Sequence, residues 1–279
     1  MTFKLFLKII WTASPKMIYE KIHNLLTRAD KSEAVELITI NSGQAKNIKL
    51  VIPVNAKSIY LKMAQGDYEN YLLESLLKHS AIKNKTIWDI GAHVGYHSLL
   101  FAKYAGPNGL VIAFEPNPKN REIFRNNLEN NKNLASNIIL KEEALADEIG
   151  LSKMLISRSG YQTSSSGGYL HDVMPPLAKE SYKNFTSQEI KINTIDNLIK
   201  TEKLPIPDLM KVDVEGAELK VLEGALNTLR SKKPILAIEI HSILMMFYLQ
   251  KLLLDLNYQL EIIDENVESF TKNILARPK

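Results

Sequence analysis

The stretch Trp88-Asp89-Ile90-Gly91-Ala92-His93-Val94-Gly95 decides the fold of this chain. A compact apolar strand, Thr86–Ile90, runs directly into a glycine turn, and the apolar segment His97–Tyr104 after it has the length of a helix. A strand that enters a helix through such a turn is typical of α/β domains, which bind ligands at the carboxyl ends of their strands. The stretch therefore predicts both the fold class and the place of a site.

The same alternation continues along the rest of the chain. It predicts strands at Gly109–Phe114, Ile138–Leu140, Asp208–Val214, Ile235–Ile240 and Tyr258–Ile263, and helices at Lys119–Asn130, Glu218–Leu229 and Ile243–Leu256. Alternation of this kind builds parallel strands through right-handed crossovers. The body is therefore predicted to be a doubly wound, Rossmann-like α/β sheet.

The residues before this body have a different pattern. Glu36–Ser42, Asn47–Val54 and Ser58–Ala64 are short β-branched or alternating runs and predict an antiparallel β meander. Asp67–His79 has helical spacing, with Asp67 as the predicted N-cap. We therefore expect an N-terminal helix and meander over residues 1–66, followed by one domain over residues 67–279.

Composition excludes several classes of protein. Of the 279 residues, 45% are hydrophobic and 24% charged, as in soluble globular proteins. The net charge of +4 equals the excess of basic residues within residues 1–31, so the body is balanced and no nucleic-acid partner is expected. Cysteine is absent from the sequence, which excludes disulfides and thiolate chemistry and fits a cytoplasmic location.

The first 25 residues form a basic, Trp-bearing amphipathic segment. Lys4 and Lys8 fall on one narrow stripe of the predicted helix, and apolar side chains cover most of the rest. Such a segment can lie in a membrane interface, and it can equally pack on its own domain. Both interpretations stay open. Farther on, the polar segment Arg158–Phe185, rich in glycine, serine and proline, is either a lid over the site or a surface loop.

Two motifs together predict an adenosine-containing ligand. Gly91 permits a tight turn and Gly95 permits close approach of the first helical turn, while Asp89 offers a carboxylate to a ligand ammonium group. Glu115 ends the second strand, 20 residues after Gly95, at the spacing of a carboxylate that accepts ribose hydroxyls. The G-x-x-x-G turn lacks the glycines of a pyrophosphate site, and the Asp89 carboxylate would repel a diphosphate. The charges therefore favour S-adenosylmethionine over NAD.

Three segments resemble successive signatures of the FkbM family of S-adenosylmethionine-dependent methyltransferases. They run over 89–98, over 113–118 (Ala-Phe-Glu-Pro-Asn-Pro) and over 211–218 (Lys-Val-Asp-Val-Glu-Gly-Ala-Glu). Gly224-Ala225 and Glu239-Ile240-His241 continue the match, whereas His93 stands where the family usually has Asn. The resemblance implies a class I methyltransferase fold and O-methylation of a hydroxyl, often on a sugar or a polyketide-like molecule. The expected partner is thus a small-molecule or glycan acceptor.

A set of residues is expected to hold the donor. The backbone around Ala144 and Leu145 is expected to line the adenine, and the resemblance implies that the Tyr68–Glu69 region closes over the cofactor. The full predicted donor set is Asp89, Gly91, Ala92, His93, Gly95, Glu115, Pro116, Ala144, Leu145, Tyr68 and Glu69.

Four residues at two further strand ends are the candidates for catalysis: Asp213, Glu215, Glu239 and His241. An imidazole ordinarily titrates near neutrality, so His241 is the predicted general base, with Glu215 or Glu239 orienting it or binding acceptor hydroxyls. Alternatively, Asp213 and Glu239 hold a divalent cation. Glu215 or Glu218 could also merely stabilise the first turn of the helix near Ala217.

Two other functions remain open at this stage. Glu115 would equally serve a nicotinamide-dependent oxidoreductase. The chain could also be a non-catalytic, membrane-attached scaffold that retains a cofactor pocket.

Overall fold

A seven-stranded sheet forms the centre of the molecule. The computed structural model describes residues 35–53, 58–79, 82–157, 169–170, 185–264 and 271–279. Across the sheet, the strands are β12 (Tyr258–Ile262), β13 (Lys272–Pro278), β11 (Ile235–Ile240), β10 (Leu209–Val212), β3 (Thr86–Ile90), β4 (Leu110–Phe114) and β5 (Ile138–Lys141). Each pair from β11 to β5 is parallel, and β13 is antiparallel to both of its neighbours. The predicted α/β sheet is thus confirmed.

The order of the strands reverses beside β3. The chain steps outward from β3 to β4 and β5, then returns to β10 on the other side of β3 and continues to β11. At such a reversal the connecting segments leave in opposite directions and open a crevice at the carboxyl ends of the strands. The predicted site residues of β3, β4, β10 and β11 all lie at this edge.

Helices cover both faces of the sheet. They are α1 (Ser58–Gln65), α2 (Asn70–Lys78), α3 (Tyr96–Ala105), α4 (Pro118–Asn130), α5 (Lys132–Ala135), α6 (Ile195–Thr201), α7 (Glu218–Glu223), α8 (Leu226–Ser231) and α9 (Ile243–Asp255). Successive strand residues point to opposite faces, so Ile87 belongs to the same apolar core as Leu99, and Trp88 belongs to a second apolar core with Val221. Burial on both faces explains why the strands are apolar without alternation.

Two predicted helices differ in detail from the structure. The helix predicted at Glu218–Leu229 is two helices, α7 and α8, which meet at Gly224. A Cβ at Gly224 would lie 2.0 Å from the carbonyl oxygen of Ala146, so the close approach of a neighbouring segment requires glycine there. Helix α2 begins at Asn70 instead of Asp67, and the predicted N-cap Asp67 accepts a hydrogen bond from the Asn70 side chain at 2.9 Å.

The prediction of a third strand in the meander is wrong. β1 (Val35–Thr39) and β2 (Lys49–Pro53) pair antiparallel, whereas the segment predicted as a strand at Ser58–Ala64 is helix α1. Tyr60 and Met63, three residues apart, are buried while Leu61 is half exposed, which is the periodicity of a helix.

The β1–β2 hairpin packs against the α/β body. Backbone N–H groups of Lys49 and Val51 donate to the side-chain amides of Asn131 and Asn127 at 2.9 and 2.6 Å. Residues of the hairpin share one apolar core with α3 and α4. The division of the chain at residues 66 and 67 stays a prediction.

A second, four-stranded sheet follows β5. It consists of β6 (Ala144–Leu145), β9 (Phe185–Asn193), β7 (Gly150–Ser157) and β8 (Tyr169–Leu170), in that order. The sequence pattern did not predict β7, β9, α6 or β13. Most of the predicted lid at 158–185 lies outside the described residues, as does the amphipathic segment 1–25. Within the described ranges, no helix is long and apolar enough to cross a membrane.

Candidate active site

A cavity of about 230 Å³ opens at the carboxyl ends of β3, β4, β10 and β11. Twelve of the fifteen predicted site residues line it: Tyr68, Gly91, Ala92, His93, Glu115, Pro116, Ala144, Leu145, Asp213, Glu215, Glu239 and His241. Asp89, Gly95 and Glu69 are not in its wall. The predicted donor and acceptor residues therefore share one cavity.

The turn after β3 requires glycine for two different reasons. Gly91 has φ +84°, and a Cβ there would lie 1.8 Å from the carbonyl oxygen of Asp213. Gly95 has φ +83°, and its Cβ would meet the ring of Phe124 at 2.1 Å. Gly95 thus allows α3 to pack on α4, whereas the sequence analysis expected it to approach the ligand.

Glu115 presents a hydrogen-bonded carboxylate to the cavity. Its Oε2 accepts from the backbone N–H of His93, and its Oε1 accepts from that of Asn117, both at 2.8 Å. The Asn120 side chain donates to Oε1 at 3.3 Å. Burial outweighs these hydrogen bonds and raises the pKa of Glu115 to about 7. Glu115 is therefore held in one orientation, with an ionisation state that changes near neutral pH.

The structure places Asp89 behind the cavity wall. The residue is fully buried, and its Oδ2 accepts the Ser98 hydroxyl at 2.5 Å. Its Oδ1 lies 3.9 Å from Nζ of Lys211, which does line the cavity. Asp89 was predicted to contact a ligand ammonium directly. Its position instead fits a residue that orients the turn and the lysine.

Lys211 is the main polar residue that the sequence analysis missed. It is buried in β10, and its Nζ donates to Oδ2 of Asp213 at 2.9 Å. Burial alone would raise the pKa of Asp213, but the ammonium of Lys211 and the charge of His241 together outweigh burial and lower it. The sequence did carry a signal for this residue. Lys211 is a lysine inside an otherwise apolar strand, and it stands two residues before the predicted catalytic residue Asp213.

His241 lies at the centre of an acidic cluster formed with Asp213, Glu215, Glu218 and Glu239. Its Nδ1 is 2.8 Å from Oε1 of Glu218, and its Nε2 is 3.5 Å from Glu215. Nε2 is also 3.8 Å from a carboxylate oxygen of Asp213 and 3.8 Å from one of Glu239. The cluster brings all four predicted catalytic residues together.

The charges of this cluster overturn one argument of the sequence analysis. Burial alone would lower the pKa of His241, but the Glu218 hydrogen bond and the neighbouring carboxylates raise it to about 9. The expectation that this imidazole titrates near neutrality is therefore wrong. Desolvation and the charge of Asp213 also raise the pKa of Glu239, to about 8. His241 and Glu239 consequently hold their protons more tightly than isolated side chains would.

Glu218 and Glu215 differ in what they do at the start of α7. Glu218 is fully buried, and its Oε1 accepts both the backbone N–H of Gly216 and a hydrogen bond from His241. Glu218 therefore stabilises the helix start and orients the imidazole. Glu215 lies two residues before Ala217, the N-cap residue of α7, and its carboxylate is 3.5 Å from Nε2 of His241.

Tyr68 and Glu69 lie immediately before α2, which begins at Asn70. Tyr68 lines the cavity and packs edge to face on Tyr96, with ring centroids 5.6 Å apart. Glu69 has φ +50°, and its carboxylate lies 3.4 Å from Nε2 of His97. Burial raises the pKa of Glu69 to about 7. Tyr68 therefore forms part of the cavity wall, whereas Glu69 lies outside the wall and contacts His97, which lines the cavity.

The fold and this site define a class I methyltransferase architecture: a central, mostly parallel sheet whose strand ends carry the Glu115 carboxylate and the acidic cluster around His241. Residues 89–260 match the Methyltransferase FkbM domain. The chain belongs to this FkbM methyltransferase family. Membership confirms the resemblance seen in the sequence and the predicted cofactor, S-adenosylmethionine.

Two known proteins are similar to the chain. The Hexuronic acid methyltransferase AglP of Haloferax volcanii is 31% identical over 169 residues, which are 60% of this chain and 60% of that protein. The crystal structure of Methyltransferase FkbM from Methylobacillus flagellatus KT superposes with a TM-score of 0.50 at 20% identity. The alignment covers 69% of this chain and 43% of that one. The match thus spans less than two thirds of either relative. Neither comparison supports the oxidoreductase or the scaffold alternative.

Proposed function

We propose that this protein transfers a methyl group from S-adenosylmethionine to a hydroxyl oxygen of a sugar or glycan. One observation carries the proposal: the same cavity is lined by Glu115 and by Asp213, Glu215, Glu239 and His241. The family assignment supports methyl transfer. A relative named as a hexuronic acid methyltransferase supports a sugar acceptor over a polyketide-like one.

The donor end of the cavity fits a nucleoside. Glu115 offers two carboxylate oxygens, which suit the paired hydroxyls of a ribose. Ala144, Leu145 and Met154 of β7 are buried and form an apolar part of the wall of the same cavity. The turn at Gly91 and Ala92 provides backbone close to the ligand. Bound S-adenosylmethionine supplies an electrophilic methyl group on a positively charged sulfur.

The acceptor end aligns and deprotonates a hydroxyl. In-line displacement requires an oxygen held against the methyl group, and a positioned acceptor for its proton. Asp213, Glu215, Glu239 and His241 surround the space where that oxygen would lie. We assign the proton to this cluster as a unit, because its members share hydrogen bonds and charge. Lys211 keeps Asp213 in place from behind.

Incubating the purified protein with methyl-labelled S-adenosylmethionine and a panel of hexoses and hexuronic acids tests the proposal. We expect label to enter an O-methyl ether of at least one sugar and S-adenosylhomocysteine to form in equal amount. His241→Gln is expected to lower turnover at least 100-fold with little change in S-adenosylhomocysteine affinity. Label on nitrogen or carbon, or equal losses of turnover and affinity, would contradict the assignments.

We also propose that the protein acts in the cytoplasm and contacts membranes through residues 1–25. The basic, amphipathic composition of that segment supports the contact. Removing residues 1–25 should abolish co-sedimentation with anionic phospholipid vesicles and leave S-adenosylhomocysteine binding intact. Unchanged co-sedimentation after this truncation would rule out the proposed contact.

A further inference from the structure

We infer that Asp213, Glu239 and His241 form a binding site for a divalent cation, which holds the acceptor in the cavity. This role of the cation rests on the proposed function, whereas the binding of the cation itself does not. The cation would join the acidic cluster to two adjacent oxygens of the sugar, and Glu215, which is not one of its ligands, would then accept the hydroxyl proton.

The three side chains converge on one point. One ligand atom of each lies within 4.8 Å of the others, and Nε2 of His241 is 3.8 Å from both Asp213 Oδ1 and Glu239 Oε1. These separations leave room for a cation roughly 2.2 Å from each atom, close to the usual length of bonds from Mn²⁺ or Mg²⁺ to such ligands. Two carboxylates and an imidazole suit Mn²⁺ well, and water or acceptor oxygens would complete its coordination.

The surrounding residues hold the ligand atoms in this orientation. Glu218, which is fully buried, binds Nδ1 of His241 and thereby directs Nε2 toward the two carboxylates. A carboxylate on the second imidazole nitrogen is the usual support of a metal-binding histidine. Lys211 binds Oδ2 of Asp213 at 2.9 Å, while Oδ1 is the atom nearer to His241. Each ligand is therefore oriented before a cation arrives.

The charge of the wall gives a second reason for a cation. Asp213, Glu215 and Glu239 face the cavity together, and Lys211 is the only lysine or arginine in the described part of its wall. When these carboxylates are ionised, they repel an anionic acceptor such as a hexuronic acid. A bound divalent cation would reverse that repulsion and bind two adjacent oxygens of the acceptor, either vicinal hydroxyls or a hydroxyl and a carboxylate.

Titration of the full chain with Mn²⁺, followed by electron paramagnetic resonance of the free ion, tests the site directly. We expect one saturable site per chain, with affinity at least tenfold weaker in Glu239→Gln and in Asp213→Asn. Glu218→Gln should weaken binding by a similar factor, because it removes the support of His241. Asp255→Asn removes an exposed carboxylate of α9 and should leave Mn²⁺ affinity unchanged. No saturable site in the unmodified chain, or equal affinity in Glu239→Gln and Asp255→Asn, would overturn the inference.

Donor binding distinguishes failure of the cation from failure of the proposed function. S-adenosylhomocysteine should bind all four variants and the chelator-treated protein with near-normal affinity, which also shows that they are folded. Sugar methylation should fall at least tenfold with chelator and recover with added Mn²⁺. Methylation that persists after chelation, with no Mn²⁺ bound, would overturn the cation and leave the methyltransferase proposal standing.

Discussion

Replacing Glu115 with Gln is expected to weaken S-adenosylhomocysteine binding by about 10- to 150-fold. The carboxylate is buried, and backbone N–H groups fix both of its oxygens. A hydrogen bond to a charged group contributes about 1.5–3 kcal/mol. Gln keeps one carbonyl oxygen and loses one charged acceptor. The binding free energy of S-adenosylhomocysteine should therefore weaken by about 1.5–3 kcal/mol, which corresponds to an affinity about 10- to 150-fold lower.

The same substitution should remove a pH dependence. Burial raises the pKa of Glu115 to about 7, and only the ionised form accepts from both ribose hydroxyls. Donor affinity should therefore fall as the pH drops below about 7, approaching tenfold per pH unit. In Glu115→Gln, affinity should change much less over this range, because the amide does not titrate.

Isothermal titration calorimetry from pH 5.5 to 8.5 measures both effects. Glu122→Gln is the matched control, since Glu122 is exposed on α4, the helix that follows Glu115, and the variant should bind the donor normally. A Glu115→Gln variant with unchanged affinity, or with the same pH profile as the unmodified chain, would refute the assignment of Glu115 to the ribose.

Three other outcomes follow from the structure. Gly91→Ala should destabilise the fold by clearly more than about 1 kcal/mol in urea unfolding, because the new Cβ meets backbone at a positive φ. Gly106→Ala, with a similar φ of +75° but nothing within 4 Å, should cost less, and equal costs would contradict the clash. Lys211→Met should lower the unfolding free energy by about 3–5 kcal/mol at neutral pH, because Asp89 and Asp213 lose their buried partner. A loss below about 1 kcal/mol would refute the role given to the lysine. In calorimetry, NAD should bind at least 100-fold more weakly than S-adenosylhomocysteine, and comparable affinities would favour a dehydrogenase.

Local sequence predicted the parts of the site that follow strands directly. The stretch 88–95 and Glu115 each sit at the end of an apolar strand, and parallel strands bring such ends to one edge. Pattern and topology were therefore enough to place Gly91, Glu115, Asp213 and His241 in one cavity. The site residues recognised by family resemblance, such as Tyr68, had no comparable local signal.

The features that sequence missed depend on contacts between distant segments. Lys211 looked like a strand residue until its distances to Asp89 and Asp213 were known. The shift of the His241 pKa comes from carboxylates on neighbouring elements, which spacing along the chain does not disclose. The helix at Ser58–Gln65 was mistaken for a strand because a short apolar run fits both periods.

A crystal structure of the protein with S-adenosylhomocysteine tests the central claim most directly. The ribose hydroxyls should lie within about 3 Å of the Glu115 carboxylate. The sulfur should face the space in front of His241, with the adenine over Ala144 and Leu145. A nucleoside bound elsewhere, or a sulfur that points away from His241 and Glu239, would contradict the account.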